Sequence, residues 1–166
     1  MDTDRRARFE QLYEAHVDQV MRYCLRHVAP AEAEDAVADT FTVAWRRFDE
    51  LPDEPIAWLL ATARNHLLST WRRRRRADEL VVRLSSRASA APSAEVTAAR
   101  RAELVEGLAS LDEAHREALL LTCWDNLSTE QAAQVLGCTP GALRVRVHRA
   151  RASLAAWRSH EGANHG

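Results

Sequence analysis

Apolar residues recur along this chain at helical spacing. Phe9, Leu12, Tyr13, Val17, Val20, Met21, Cys24, Leu25 and Val28 fall at i, i+3, i+4 and i+8 steps, which predicts an amphipathic helix ending before Pro30. A second helix over about 31–48 would bury Val37, Phe41, Ala44, Trp45 and Phe48. Its other face would show Glu32, Asp35, Asp39, Thr42, Val43 and Arg46. The acidic, turn-rich stretch Asp49 to Pro55 leads to a third helix starting near Pro55. There Ile56, Leu59, Leu60, Ala63, Leu67 and Trp71 face inward, and Trp58, Thr62, Asn65, Ser69, Arg72 and Arg76 face outward. From 77 to 98 the periodicity lapses into small, polar, proline-interrupted sequence, the composition of a flexible linker with frayed helix at its ends. It resumes with Leu104, Val105, Leu108 and Leu111. A further helix, capped by Asp112, runs to about Trp124 with Leu119, Leu120 and Cys123 inward.

The stretch from Ser128 to Leu154 carries the densest local signals. Ser128 is an N-cap and Gln131 stands at N3, a capping box. Ala132, Ala133 and Leu136 give a short apolar face, and Gly137 supplies the positive φ that ends a helix. Thr139 is a second N-cap, with Pro140 at the first helical position. Leu143, Val147, Ala150 and Leu154 then form one stripe. Two short helices joined by a glycine turn make a helix-turn-helix. At about 100° per residue, Gly141, Val145, His148, Arg149 and Ala152 lie opposite the stripe, with Arg144 and Arg151 on one flank and Arg146 on the other. Small residues followed by arginine and histidine suit entry into a major groove. The plainer alternative is a solvated basic helix closing a bundle. The two caps, the glycine turn and the absence of acids from 139 to 160 favour the groove.

Charge changes the picture once it is mapped. The net charge of the 166 residues is −1. Yet residues 1–55 hold 7 Arg against 13 acids, residues 56–76 hold 6 Arg and no acid, and residues 139–160 hold 5 Arg and no acid. Two basic patches on an acidic protein are a nucleic-acid footprint that the total conceals. The outward face of the third helix combines an aromatic, an amide, hydroxyls and arginines, a platform for stacking single-stranded bases, although Trp58 would fit equally well tucked against the second helix. The acids of the second helix read either as a solvated face or as a protein-partner surface, with Val43 favouring the latter. The 3 cysteines lack any zinc spacing. No apolar run reaches the ~20 residues of a membrane span, and MDTDRRARFE has no apolar signal core, which points to a cytoplasmic protein without membrane insertion.

Taken together, these segments resemble the extracytoplasmic-function branch of bacterial sigma factors over nearly the whole chain. AEDAVADTFTVAWRRF resembles the polymerase-binding helix of region two, and IAWLLATARNHLLSTWRRRRR the promoter-melting and minus-10 helix. The segment from Leu111 to Leu154 is similar to region four, which reads the minus-35 element. The chain departs from the usual pattern at Ala38, at Leu111-Asp112 and at Val145. The resemblance implies an all-α fold of two small helical domains, 1–76 and 99–160, joined by the linker 77–98, with a tail over 161–166. It implies a non-enzymatic subunit of RNA polymerase that needs no cofactor or metal. Its partners would be core polymerase, promoter DNA as minus-10 single strand and minus-35 duplex, and, as a further candidate, an anti-sigma factor. Carried over by residue, Asp35, Asp39, Phe41 and Val43 contact the polymerase, and Leu119 to Trp124 lie near its flap. Trp58, Asn65, Ser69, Arg72, Arg73 and Arg76 contact minus-10 DNA beside a loop, Asp49 to Pro55, that takes a flipped base. Arg144, Val145, His148 and Arg149 contact minus-35 DNA.

Two other classes compete. A free-standing helix-turn-helix repressor would need a dimer surface, and no coiled coil is evident. An adaptor docking its basic helices on an acidic partner would leave the aromatic-basic third helix unexplained. An enzyme is disfavoured by the absence of a P-loop, a GxSxG elbow and any metal-ligand spacing.

Overall fold

The computed structural model describes residues 2–71 and 94–164. Among them are seven α-helices, one short 3-10 turn and no strand, and the chain divides into two units, Met1–Arg75 and Arg76–Gly166. The all-α expectation holds. Most of the stretch expected as linker lies outside the described residues, but its last part, from Ala94, is helix.

The first unit is three mutually packed helices, α1 (Asp2–Leu25), α2 (Pro30–Arg46) and α3 (Ile56–Trp71), with a 3-10 turn at Phe48–Glu50. Val20 and Cys24 of α1, Val28 just after it, Ala33, Val37, Phe41 and Ala44 of α2, and Leu59, Leu60, Ala63 and Leu67 of α3 are buried. Tyr23, which the apolar pattern did not single out, is wholly buried too. Burial pushes the Cys24 thiol up to about 12, against the opposing pull of Arg26. Thr40 is buried because its hydroxyl donates to the Ala36 carbonyl at 2.7 Å, which leaves no orphaned group. The start of α2 lacks a side-chain oxygen at Ala29. Glu32 supplies the reciprocal half of a capping box instead, its carboxylate accepting from the Ala29 N–H at 3.3 Å, with Pro30 at the first position.

The second unit is α4 (Ala94–Ser110), α5 (Glu113–Cys123), α6 (Thr129–Leu136) and α7 (Pro140–Asn164). Val105, Leu108, Leu111, Leu119, Leu120 and Ala150 form a core against which Val147 and Leu154 pack. Three residues of the apolar pattern stand exposed, Tyr13 of α1 at 41% being the first. Leu104 is 46% exposed, because the α4 stripe runs through 105, 108 and 111 and leaves 104 on its edge. Cys123 is exposed because α5 ends there and the chain turns outward. The carbonyls at the end of α4 are closed by Arg116, whose guanidinium donates to Leu108, Ala109 and Leu111 at 2.8, 3.1 and 2.6 Å. Burial lowers the Arg116 pKa, and Glu113 and Asp112 oppose that shift.

Asp112 caps α5, its carboxylate accepting from the His115 N–H at 2.9 Å and contacting the His115 ring. That backbone hydrogen bond holds the carboxyl below its usual pKa of 3.8. A lowered native pKa means that the stabilisation is complete above the ordinary carboxyl range and is lost as pH falls through the native value. Asp112→Ala should therefore destabilise the second unit by about 1 kcal/mol at neutral pH. Asp112→Asn should keep most of the cap and flatten the acid limb of the stability curve, as urea melts from pH 7 to pH 3 would record.

Candidate nucleic-acid interface

The helix-turn-helix forms through the predicted local contacts. Ser128 Oγ accepts from the Gln131 N–H at 3.1 Å, and Gln131 Oε1 accepts from the Ser128 N–H at 3.0 Å. At the other end of α6, Gly137 takes φ 64° and ψ 35°, and the Cys138 N–H reaches back to the Ala133 carbonyl at 3.0 Å. This left-handed residue reverses the chain and satisfies carbonyls that α6 leaves open. Thr139 Oγ1 then accepts from the Ala142 N–H at 3.1 Å and starts α7.

Packing sets the rotation of α7. Leu143 and Ala150 are wholly buried and Val147 is half-buried. Burying a leucine of this kind is worth about 1.5–3 kcal/mol, more than the exposed contacts on the other side of the helix. Consequently Arg144, Val145, His148 and Arg149 all face solvent, Val145 at 49% exposure. Arg144 lies 4.0 Å from Glu130 on α6, an exposed pair of small energetic weight. Arg151, two turns along the same flank, donates toward Cys123 Sγ at 3.6 Å. A shallow pocket of about 270 Å³ beside this face is lined by residues that include Thr129, Arg144, His148 and Arg151. Farther along, α7 crosses α4 at Gly107. A methyl group there would stand 3.1 Å from the Trp157 ring, so the glycine permits the close approach.

In the first unit, Asp35 and Asp39 stand one turn apart on the exposed face of α2, with Val43 half-buried on the next turn. Phe41 is not with them. It is 4% exposed and packs edge-on against Tyr13, with ring centroids 4.7 Å apart, so its part is to support α2 rather than to touch a partner. Leu119 and Leu120 are likewise buried, and of the segment from Leu119 to Trp124 only Cys123 and Trp124 are exposed, with Thr122 half-exposed. Trp58 is half-buried, and its carbonyl accepts from Thr62 Oγ1 at 2.9 Å; Asn65 is exposed two turns along the same face of α3. Ser69 lies within α3, but its side chain, like Arg72, Arg73 and Arg76, is outside the described residues. Sequence reasoning missed His66, whose Nδ1 lies 4.0 Å from Asp39, and Arg5, which reaches the end of α2. Only the packing of separate helices brings these pairs together, so the linear pattern carried no signal for them. Among the described residues no group of His, Cys, Asp and Glu could hold a metal ion, and no helix is long and apolar enough to cross a membrane.

Comparison with known proteins follows this division of the chain. The family model for sigma-70 region 2 matches residues 12–77, and that for sigma-70 region 4 matches residues 101–154. RNA polymerase sigma factor CarQ of Myxococcus xanthus is 34% identical over 146 residues, spanning 85% of this chain and 83% of that protein. The ECF RNA polymerase sigma factor SigL of Mycobacterium tuberculosis is 33% identical over 144 residues, 82% of this chain and 81% of that protein. Among solved structures, the sigma factor RpoE, in complex with the anti-sigma factor NepR from Bartonella quintana, has a TM-score of 0.63 at 27% identity and covers 88% of this chain and 93% of its own.

The turn makes a specific demand. A Cβ at residue 137 would meet nothing within 4 Å, so any penalty for adding one is purely conformational. Gly137→Ala should destabilise the second unit by about 1–2 kcal/mol, and Gly137→Asn should recover part of that loss. Equal stability of all three proteins in denaturant melts would contradict the left-handed turn.

Proposed function

This chain belongs to the extracytoplasmic-function branch of the sigma-70 family and directs transcription initiation with RNA polymerase, and on that premise we propose how its two units share the work. The first unit, 1–76, docks on core polymerase through Asp35, Asp39 and Val43 and contacts minus-10 DNA through Trp58, Asn65, Ser69, Arg72, Arg73 and Arg76. The loop from Asp49 to Pro55 receives a flipped minus-10 base beside them. The second unit, 99–160, reads the minus-35 duplex with Arg144, Val145, His148 and Arg149, and the segment 77–98 threads the polymerase cleft. The chain carries no catalytic group of its own for the reaction; the polymerase supplies the chemistry. An anti-sigma factor is a further partner, as it is for the relative solved with NepR.

The observation that carries this reading is the outward face of α7. Its rotation is set by buried Leu143 and Ala150, it bears arginine and histidine, and the sequence has no acid from 139 to 160. Arg149 or Arg144 pairing with guanine O6 and N7 would contribute about 1–3 kcal/mol of discrimination, with Val145 against a thymine methyl. Phosphate contacts from the arginines after Trp71 would add affinity without sequence preference.

The test is run-off transcription by core polymerase with and without this chain, on a promoter library randomised at both elements. Arg149→Ala should shift the preferred minus-35 sequence and leave the minus-10 preference intact. An unchanged minus-35 preference would place the reading face elsewhere. Replacing Asp35 and Asp39 together by Arg should abolish core binding in pull-down, because like charge at an interface costs several kcal/mol. Its melting temperature should barely move, since exposed acids contribute little to stability.

A further inference from the structure

The loop from Asp49 to Pro55 presents Pro52, Asp53 and Glu54 to solvent, and its far end is anchored by buried Pro55, whose carbonyl accepts from the Leu59 N–H at 2.8 Å at the start of α3. Its near end is held by α1, a helix to which neither the sequence motifs nor the proposed function gives any part in promoter recognition. Arg5 is the centre of that hold. Its Nη2 donates to the Trp45 carbonyl in the last turn of α2 at 2.8 Å. Its guanidinium lies 4.6 Å from the centroid of the Trp45 ring and 6.0 Å from that of Phe48, and its Nε is 3.7 Å from the Asp49 carboxylate. Arg8 stands over Phe48 at 5.6 Å, and Phe9 packs edge-on against Trp45 and Phe48 at 5.0 and 5.7 Å.

We propose that Arg5 is a positioning residue for minus-10 recognition, fixing the point from which the loop departs through its simultaneous contacts with Trp45, Phe48 and Asp49. The geometry suits no other part. A planar guanidinium that lies over one ring, donates to that residue's carbonyl and faces the next acid sets the direction of the chain at residues 45–49, which is more than a charge on a solvated surface would do. The loop is tied at both ends, so a shift at residues 45–49 moves the point from which its exposed stretch departs. The inference rests on the reading that this loop receives a promoter base.

The experiment uses holoenzyme assembled from core polymerase and the full chain. Arg5→Met keeps the hydrophobic stem and removes the charge and the donors, and Arg5→Lys keeps the charge without the flat fork. Each is compared with a loop variant, Asp53→Ala combined with Glu54→Ala. The readouts are minus-10 and minus-35 preference on a randomised library, and 2-aminopurine fluorescence at each minus-10 position in turn, which rises when a base leaves the stack. Core binding and melting temperature are followed in parallel. Arg5→Met should lose about three- to tenfold of discrimination at the minus-10 position that the loop variant also affects. Its minus-35 preference and core affinity should be unchanged, and Arg5→Lys should be intermediate. If the loop variant shifts minus-10 preference and folded Arg5→Met does not, the positioning proposal fails alone. If neither shifts it, the loop reading fails and the proposal with it. Should Arg5→Met not fold, Arg5→Lys decides in the same way, normal minus-10 preference overturning the proposal.

Discussion

Leu143 and Ala150 are seven residues apart, two turns of one helix, and both are wholly buried. With those two positions pinned, α7 cannot rotate about its axis without exposing a leucine. Every outward property of the helix follows from that constraint. Val145, His148 and Arg149 face solvent because they lie opposite, and Arg144 and Arg151 flank them because they are one residue from the stripe. The apolar side of a short helix thus decides the chemistry of its polar side. The arginines stay on the surface, where water or phosphate can satisfy their donors, because burying them unpaired would cost several kcal/mol each.

The same logic divides α2, and there it corrects the residue-by-residue inheritance from a family motif. Phe41 belongs to the segment that resembles the polymerase-binding helix, yet its ring is buried, edge-on to Phe9 and Tyr13. Asp35 and Asp39 are on the opposite side. A motif records which positions are kept, not why. A phenylalanine one turn from buried Val37 serves the packing that holds the acids in place, and the acids are what a partner would meet. A hydrophobic side chain of that size has most to gain from burial, so where the helical period and the motif disagree about an aromatic residue, the period is the better guide.

What the linear sequence disclosed was what is local. The caps at Ser128, Thr139 and Asp112 each involve residues three apart, and Gly137 needs only its own backbone. The core stripes of α3 and α7 follow from the period alone, and that of α1 only in part, since Tyr23 is buried and Tyr13 exposed. What it withheld depends on separation in the chain or on phase. Arg116 closing α4, His66 beside Asp39 and Arg5 at the end of α2 each join residues from different helices. Leu104 and Cys123 sit at the edge of a stripe and at the end of a helix, where a shift of one position exchanges inside for outside. The site divides in the same way. The face of α7 was legible as a pattern of arginines, whereas the supports of the acidic loop could not be seen until α1 was laid across it.

That asymmetry bears on how a chain of net charge −1 can work on DNA at all. Two runs, 56–76 and 139–160, hold 11 of the 23 arginines and no acid, while 13 of the 24 acids lie in 1–55. Within the described residues, several arginines of α1 and the one that follows α2 are spent on structure. Arg5 and Arg8 lie over the aromatic corner, Arg6 pairs with Glu10 and Arg47 with Glu50. Those of α7 pair only weakly, Arg144 with Glu130 at 4.0 Å, and retain most of their field. Each phosphate contact would then release counterions and make binding steeply dependent on salt. On the reading proposed above, association with polymerase would present two basic segments together, so that the second contact becomes intramolecular and gains in effective concentration.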